Sequence, residues 1–187
     1  MEIALTWDLF VIVFFAIIIA YSFIVGKHES VKIIIATYIA IVAVQGIGNI
    51  LERISGESEP VLSVLGVSLD ITLLSTTKLL LFVITIIFLA VRGGMQIEYA
   101  NESGTLLSTL LTGLFGFATA GLLLSTLLTY TTGLPLLSST LTESPTISPL
   151  LAQSTLLATM IKNQDLWFSL PAILLIVVGF LGHGSEE

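Results

Sequence analysis

Thr105, Thr112, Thr119 and Thr126 recur every seven residues in and just before the stretch LLSTLLTGLFGFATAGLLLSTLLT, Leu106 to Thr129, which is otherwise almost wholly apolar. On a helix, seven residues make two turns less about 20°. The four hydroxyls therefore form one slowly winding stripe, with Ser108 and Gly116 near its line. Such a row can hydrogen-bond where two helices meet, with Gly116 and Ala120 letting the backbones approach. It can also line a hydrated path at a pore or subunit interface. Both uses require this face to meet protein rather than lipid. The seven letters LLSTLLT occur at both ends of the stretch. Their 17-residue offset puts the copies on different faces, so they read as composition rather than duplication.

Other polar side chains interrupt the apolar background. Gln45, Asn49 and Arg53 stand at i, i+4 and i+8, a polar ridge flanked by Gly46 and Gly48. It reads either as an end cap reaching the lipid headgroups or as a contact or constriction between helices. Lys78 lies about 10 Å along a helix that starts at Ile71. Its stem is expected to snorkel toward the membrane surface, with pairing to Asp70 or Asp8 as the alternative. His28-Glu29 opens like a zinc-protease motif, but Lys32 stands where the second histidine belongs. His183 falls with Glu186 and Glu187 in the tail. The sequence has no phosphate-binding loop, no paired ligand histidines and no serine motif with a placed base. It predicts neither an enzyme nor a cofactor or metal site.

These residues need elements to position them, and composition says which kind. The 187 residues are 55% apolar and only 10% charged, against about 25% charged in a soluble domain. That implies a membrane protein, with the lipid bilayer as its solvent and other membrane proteins, or copies of itself, as partners. A formal charge of −7 argues against nucleic acid and against a polybasic headgroup site. The chain has no cysteine, which excludes disulfides and thiolate–metal sites.

The apolar runs predict an all-α, polytopic transmembrane bundle. Residues 1–132 form a four-helix domain with spans at about 7–25, 31–51, 71–91 and 105–130, each near the ~20 residues that cross ~30 Å of hydrocarbon. Ser30 is the expected N-cap of the second span, and a polar loop is expected around Ser55 to Glu59. Ala20-Tyr21-Ser22 looks like a cleavage site, but no Lys or Arg precedes Lys27, so the first run is expected to be a retained helix. Residues 133–187 form a less regular region. It comprises a Pro/Ser/Thr segment to Pro149, an interfacial helix over 150–162, and an apolar segment at 166–181 with Pro171 in its first turn. That last segment is either a short fifth span or a re-entrant or interfacial piece. Basic residues in the short loops (Lys27 and Lys32, then Arg92) predict those loops in the cytoplasm and an extracytoplasmic N-terminus.

The order of features resembles the colicin V production protein (CvpA) family of bacterial inner-membrane proteins. It is carried by Trp7-Asp8 before the first apolar helix, the Gly26-Lys27-His28-Glu29 turn, the glycine-spaced LLTGLFGFATAGLLL and the later SPTISPLL, over roughly residues 5 to 152. The family usually has an Asp-Arg pair entering its fourth helix and an Arg beside a later glycine. Here Ser108, Thr109 and Thr119 or Ala120 stand in that region without charge. The resemblance implies a bacterial inner-membrane location and a role in envelope homeostasis or export, including an oligomeric channel. The residues themselves also fit a non-conducting membrane scaffold or assembly subunit.

Overall fold

The structure, a computed structural model, describes residues 6–64, 71–92, 105–132, 136–137 and 148–183; at 51–52, 54–64, 71–74, 105 and 181–183 it describes the backbone alone. Every element among the described residues is an α-helix: α1 Trp7–Val64, α2 Ile71–Arg92, α3 Thr105–Thr132, α4 Ser148–Gln153, α5 Thr155–Lys162 and α6 Gln164–His183. Three stretches are long and apolar enough to cross a membrane: Trp7–Ile50, Ser75–Arg92 and Leu106–Thr132. A fourth is added if α5 and α6, bent by 67° to each other, are taken together.

The apolar part of α1 has 44 residues. Straight, it would run ~66 Å at 1.5 Å per residue, about twice the hydrocarbon depth. The chain breaks it at Gly26, the single residue of α1 with non-helical torsions (φ 85°, ψ 175°). That region of backbone space is essentially open to glycine alone. Contacts with α3 give the direction of the two arms. Along arm one, Phe23 packs on Gly113, Ile19 and Ser22 on Gly116, Phe15 on Phe117, and Val11 shares a cluster with Leu124. Along arm two, Val31 and Ile34 cluster with Leu111 and Phe115, while Ala40, Ile41 and Val44 cluster with Leu122 and Tyr130. Arm one therefore runs against α3 and arm two runs with it, so the chain reverses at Gly26.

The other helices follow the same argument. Lys78 lies on Gly48, and Phe82 packs edge-on against Tyr130 at 5.3 Å, so α2 runs antiparallel to arm two. Gln164 meets Thr129, Trp167 meets Gly121, and Val178 reaches Val31 and Leu111, so α6 runs antiparallel to α3. All the longer helices thus surround α3. Half of its most apolar stretch is buried, against 11% for α1 and 17% for α2. Outward-facing side chains are apolar too: Ile24, Val42, Val91, Leu110 and Phe180 are each more than half exposed.

Four expectations change. Ser30 is not an N-cap; it is fully buried, and its hydroxyl donates to the Gly26 carbonyl at 2.9 Å, tying down the break. The polar loop at Ser55–Glu59 is helical, since α1 runs on to Val64; Glu52, Arg53, Glu57 and Glu59 are all good helix formers. The 133–149 segment lies mostly outside the described residues; its end is already helical, with Pro149 in the first turn of α4, where a missing N–H costs nothing. Pro171 is interior, because α6 starts at Gln164 rather than near Ser169. The 20 residues of α6 reach ~30 Å. A proline inside a helix removes one backbone bond and disturbs the turn before it. There the Tyr38 hydroxyl donates to the Phe168 carbonyl at 2.6 Å, and the Ala172 amide also approaches that hydroxyl. A side chain set into the ladder in this way keeps the disturbed turn satisfied.

Candidate functional site

The threonine stripe faces protein. Thr112, Thr119 and Thr126 are all buried, as are Gly116 and Ala120; the side chain of Thr105 lies outside the described residues. The stripe packs closely on arm one at Gly116, as the helix-packing reading expects, but its hydroxyls do not bond across the seam. Thr112 donates to the Ser108 carbonyl at 2.8 Å, Thr119 to Phe115 at 2.7 Å and Thr126 to Leu122 at 2.7 Å. Thr129 does the same to Ser125 at 2.8 Å, and Thr37 on arm two to Ile33 at 2.7 Å. Each hydroxyl donates within its own helix, four residues back, so Thr112, Thr119 and Thr126 along the stripe use their protons locally; Thr129 also accepts from Gln164 of α6. The repeated LLSTLLT also splits in environment. Leu106 and Leu110 are 87% and 66% exposed, whereas Leu124 of the second copy is 2% exposed.

The ridge on arm two is graded. Gln45 is half-buried, while Asn49 and Arg53 are exposed. Gly46 opens to empty space, but Gly48 is a notch filled by the Lys78 stem. Lys78 is only 4% exposed. The snorkelling expected from sequence is therefore corrected: the stem is folded onto arm two, where the missing side chain of Gly48 leaves room for it. Asp70, one of its proposed partners, lies outside the described residues.

Asp8, the other proposed partner, is committed elsewhere. Its carboxylate accepts from the Ser154 hydroxyl, from the Leu156 N–H at 3.1 Å and from the Thr155 hydroxyl at 3.5 Å. Ser154 in turn is the N-cap of α5 and accepts from the Leu157 N–H at 3.0 Å. A carboxylate suits this place, because the first N–H groups of a helix have no partners within it. Asp8 thus ties the start of the first helix to a segment 146 residues later. No spacing rule in a sequence reports such a pair. The available signal was the Ser-Thr pair at 154–155 before an apolar turn, a fair N-cap.

Beside this clamp, α3 meets the elbow between α5 and α6. Gln164, buried, donates to the Thr129 hydroxyl at 2.6 Å. The Trp167 indole lies on Gly121, with Phe15 and Phe117 around it at 5.7 and 5.4 Å between ring centres. Ser125 lies between Gly121 and Thr129 on the same i, i+4 line of α3. The Ser125 hydroxyl and the Trp167 ring N–H are buried without hydrogen-bond partners.

Among the described residues, no three His, Cys, Asp or Glu side chains come together as a metal site would need. His28 and Glu29 are exposed at the Gly26 corner, and Glu29 pairs with Lys32 at 3.2 Å. The side chain of His183 and all of Glu186 and Glu187 lie outside the described residues. In comparisons with known proteins, no family model, no curated protein and no solved structure matches the chain.

Proposed function

We propose that the chain is a multi-pass membrane scaffold or assembly subunit that conducts nothing through its own interior. On this reading it crosses the membrane five times, by the two arms of α1 and by α2, α3 and α6. One observation carries it: the hydroxyls that would have to line a path through the bundle are buried in packed helix contacts and bonded to their own backbone. An unbonded hydroxyl in lipid would cost several kcal/mol, on the order of 2–7, so the local bond lets a polar residue serve as a compact packing unit. The test is current across a planar bilayer holding purified protein whose stoichiometry is known from native mass spectrometry. The expected result is no unitary current from the monomer. Current from a monomer that is lost on Thr119→Leu would sink the reading.

A second reading has an observation of its own. Asn49 and Arg53 are exposed on arm two below half-buried Gln45. In a homo-oligomer they would be the polar wall between copies, the arrangement an export-associated channel of the colicin V production type would use. An oligomer that falls apart on Asn49→Leu would favour it.

For orientation we propose the Gly26 corner in the cytoplasm of a bacterial inner membrane and the N-terminus outside. The six basic residues divide evenly by end: Lys27, Lys32 and Arg92 at the corner's end, Arg53, Lys78 and Lys162 at the other. Lys78, however, is folded into the bundle, which leaves three against two in the flanking segments that the rule counts. The cysteine-free chain makes the check direct. Buried Ser30 is a poor probe, whereas Glu29 is exposed. Glu29→Cys should resist an impermeant thiol reagent in intact cells and react after the membrane is opened; labelling from outside would invert the topology.

A further inference from the structure

We propose that the α3–α6 seam holds a single internal water molecule, bonded to the Trp167 indole N–H and to the Ser125 hydroxyl. The site goes beyond the scaffold reading and stands whether or not the protein conducts. Gln164 sits on Thr129, and Trp167 sits on Gly121. Gly121, Ser125 and Thr129 follow one another at i, i+4 and i+8 on α3, while Gln164 and Trp167 are one turn apart on α6. Ser125 is therefore enclosed between two contacts of the same helix pair, and it is 3% exposed. Among the described residues, its hydroxyl and the Trp167 ring nitrogen are the side-chain polar atoms buried without a hydrogen-bond partner. That both belong to this one seam is what points to a shared ligand.

The two groups are complementary through a third. An indole nitrogen can only donate, whereas a hydroxyl donates and accepts. Either is costly to leave unbonded in an apolar interior, and ordered water is the usual partner of buried groups that the protein itself does not satisfy. A water that accepts from Trp167 and donates to Ser125 answers both needs. The spacing fits as well. Ser125 lies one helical turn, ~6 Å of rise, from the seat of the indole at Gly121, and two hydrogen bonds of ~2.9 Å reach across about that length. Thr119, Thr126 and Thr129 have no such need, since each donates to its own backbone four residues back. Thr129 and Thr132, both buried, continue the polar line from Ser125 to the end of α3, a route of ~10 Å by which water enters. Past Gly121, Phe15 and Phe117 pack against the indole and end that line. The site is thus a hydrated dead end, in keeping with a bundle that conducts nothing.

The test uses the full chain in lipid nanodiscs, with Trp7→Phe leaving one isotopically labelled indole N–H. Solid-state NMR then reads the transfer of magnetisation from water to that proton. Transfer should be seen in this parent. Ser125→Ala should reduce it about fivefold, the fall in occupancy that follows from losing one hydrogen bond. Thr126→Ala removes a hydroxyl already bonded to its own helix and should leave the transfer unchanged. The unfolding midpoint in denaturing detergent separates a wet seam from a dry one. Ser125→Ala should lower it slightly if the hydroxyl holds water, and raise it if the hydroxyl is unbonded, because deleting an unsatisfied buried group is stabilising. No transfer to the parent indole, equal transfer with and without the Ser125 hydroxyl, or a raised midpoint overturns the site. So does a fall for Thr126→Ala as large as that for Ser125→Ala, because that reports disturbance of α3 rather than loss of a partner to water.

Discussion

Gly116→Leu should all but remove the folded bundle, while Leu114→Ala, two residues away, should barely register. A side chain at Gly116 would meet the Ser22 Cβ and Oγ at 2.9 Å and the Ile19 Cα at 3.0 Å. The Cα belongs to the backbone of arm one and cannot rotate away as a flexible side chain can. Overpacking usually costs ~1–3 kcal/mol, and more where backbone must shift, so leucine here should lie at or above the upper end. In lipid there is no hydrophobic force to press the arm back, since the tails are as apolar as the core; close packing is what joins the helices. Leu114, by contrast, is 39% exposed on the outer surface, and its truncation should cost under ~1 kcal/mol. The measurement is the unfolding midpoint of purified protein titrated with denaturing detergent. Equal losses for the two variants would mean that arm one does not rest on Gly116.

That contact shows what kind of information the sequence held. Small residues and hydroxyls at helical spacing in an apolar run declare a protein-facing helix, because lipid gives them no advantage. Thr112, Gly116, Thr119 and Thr126 are accordingly all buried. The purpose of the hydroxyls was not legible, because a Thr that bonds four residues back and one that bonds across a seam have the same spacing. The sequence makes Gly26 part of a turn, but its torsions make it the reversal itself. Its neighbours Lys27 to Ser30 all continue the helix, so the expected cap vanished with the expected loop. Lys78 departs from its sequence expectation for a related reason. Snorkelling is the default for a lysine on an isolated helix, and only the fold brings the notch at Gly48 to its stem. The Asp8 clamp was invisible because its partners lie 146 to 148 residues away. Sequence alone points Pro171 to a first turn, because a proline is favoured where a helix opens. The Tyr38 hydroxyl that serves the disturbed turn comes from another helix.

Gly121→Ala is the smallest change with a large expected effect. The added methyl would fall within the Trp167 indole, so the ring must leave its seat. It cannot leave without breaking its contacts with Phe15 and Phe117, at 5.7 and 5.4 Å. Two aromatic pairs at ~0.5–1.5 kcal/mol each, with the packing lost around them, put the cost at roughly 2–4 kcal/mol, near the ~3–5 kcal/mol of deleting a buried tryptophan outright. Helix propensity works the other way, since alanine is the better helix former by ~1 kcal/mol. Gly46→Ala isolates that term, because its methyl meets open space; it should be neutral or slightly stabilising. The chain has two tryptophans, so a Trp7→Phe background leaves emission to Trp167 alone. In that background Gly121→Ala should shift the emission as the ring changes surroundings, while Gly46→Ala should not. The clash also predicts non-additivity. Once Trp167→Ala has emptied the seat, adding Gly121→Ala should cost almost nothing, which gives a coupling of about 2 kcal/mol or more between the two positions. Unchanged emission together with fully additive losses would mean that the indole does not rest on Gly121, and the α3–α6 elbow would have to be packed in some other way.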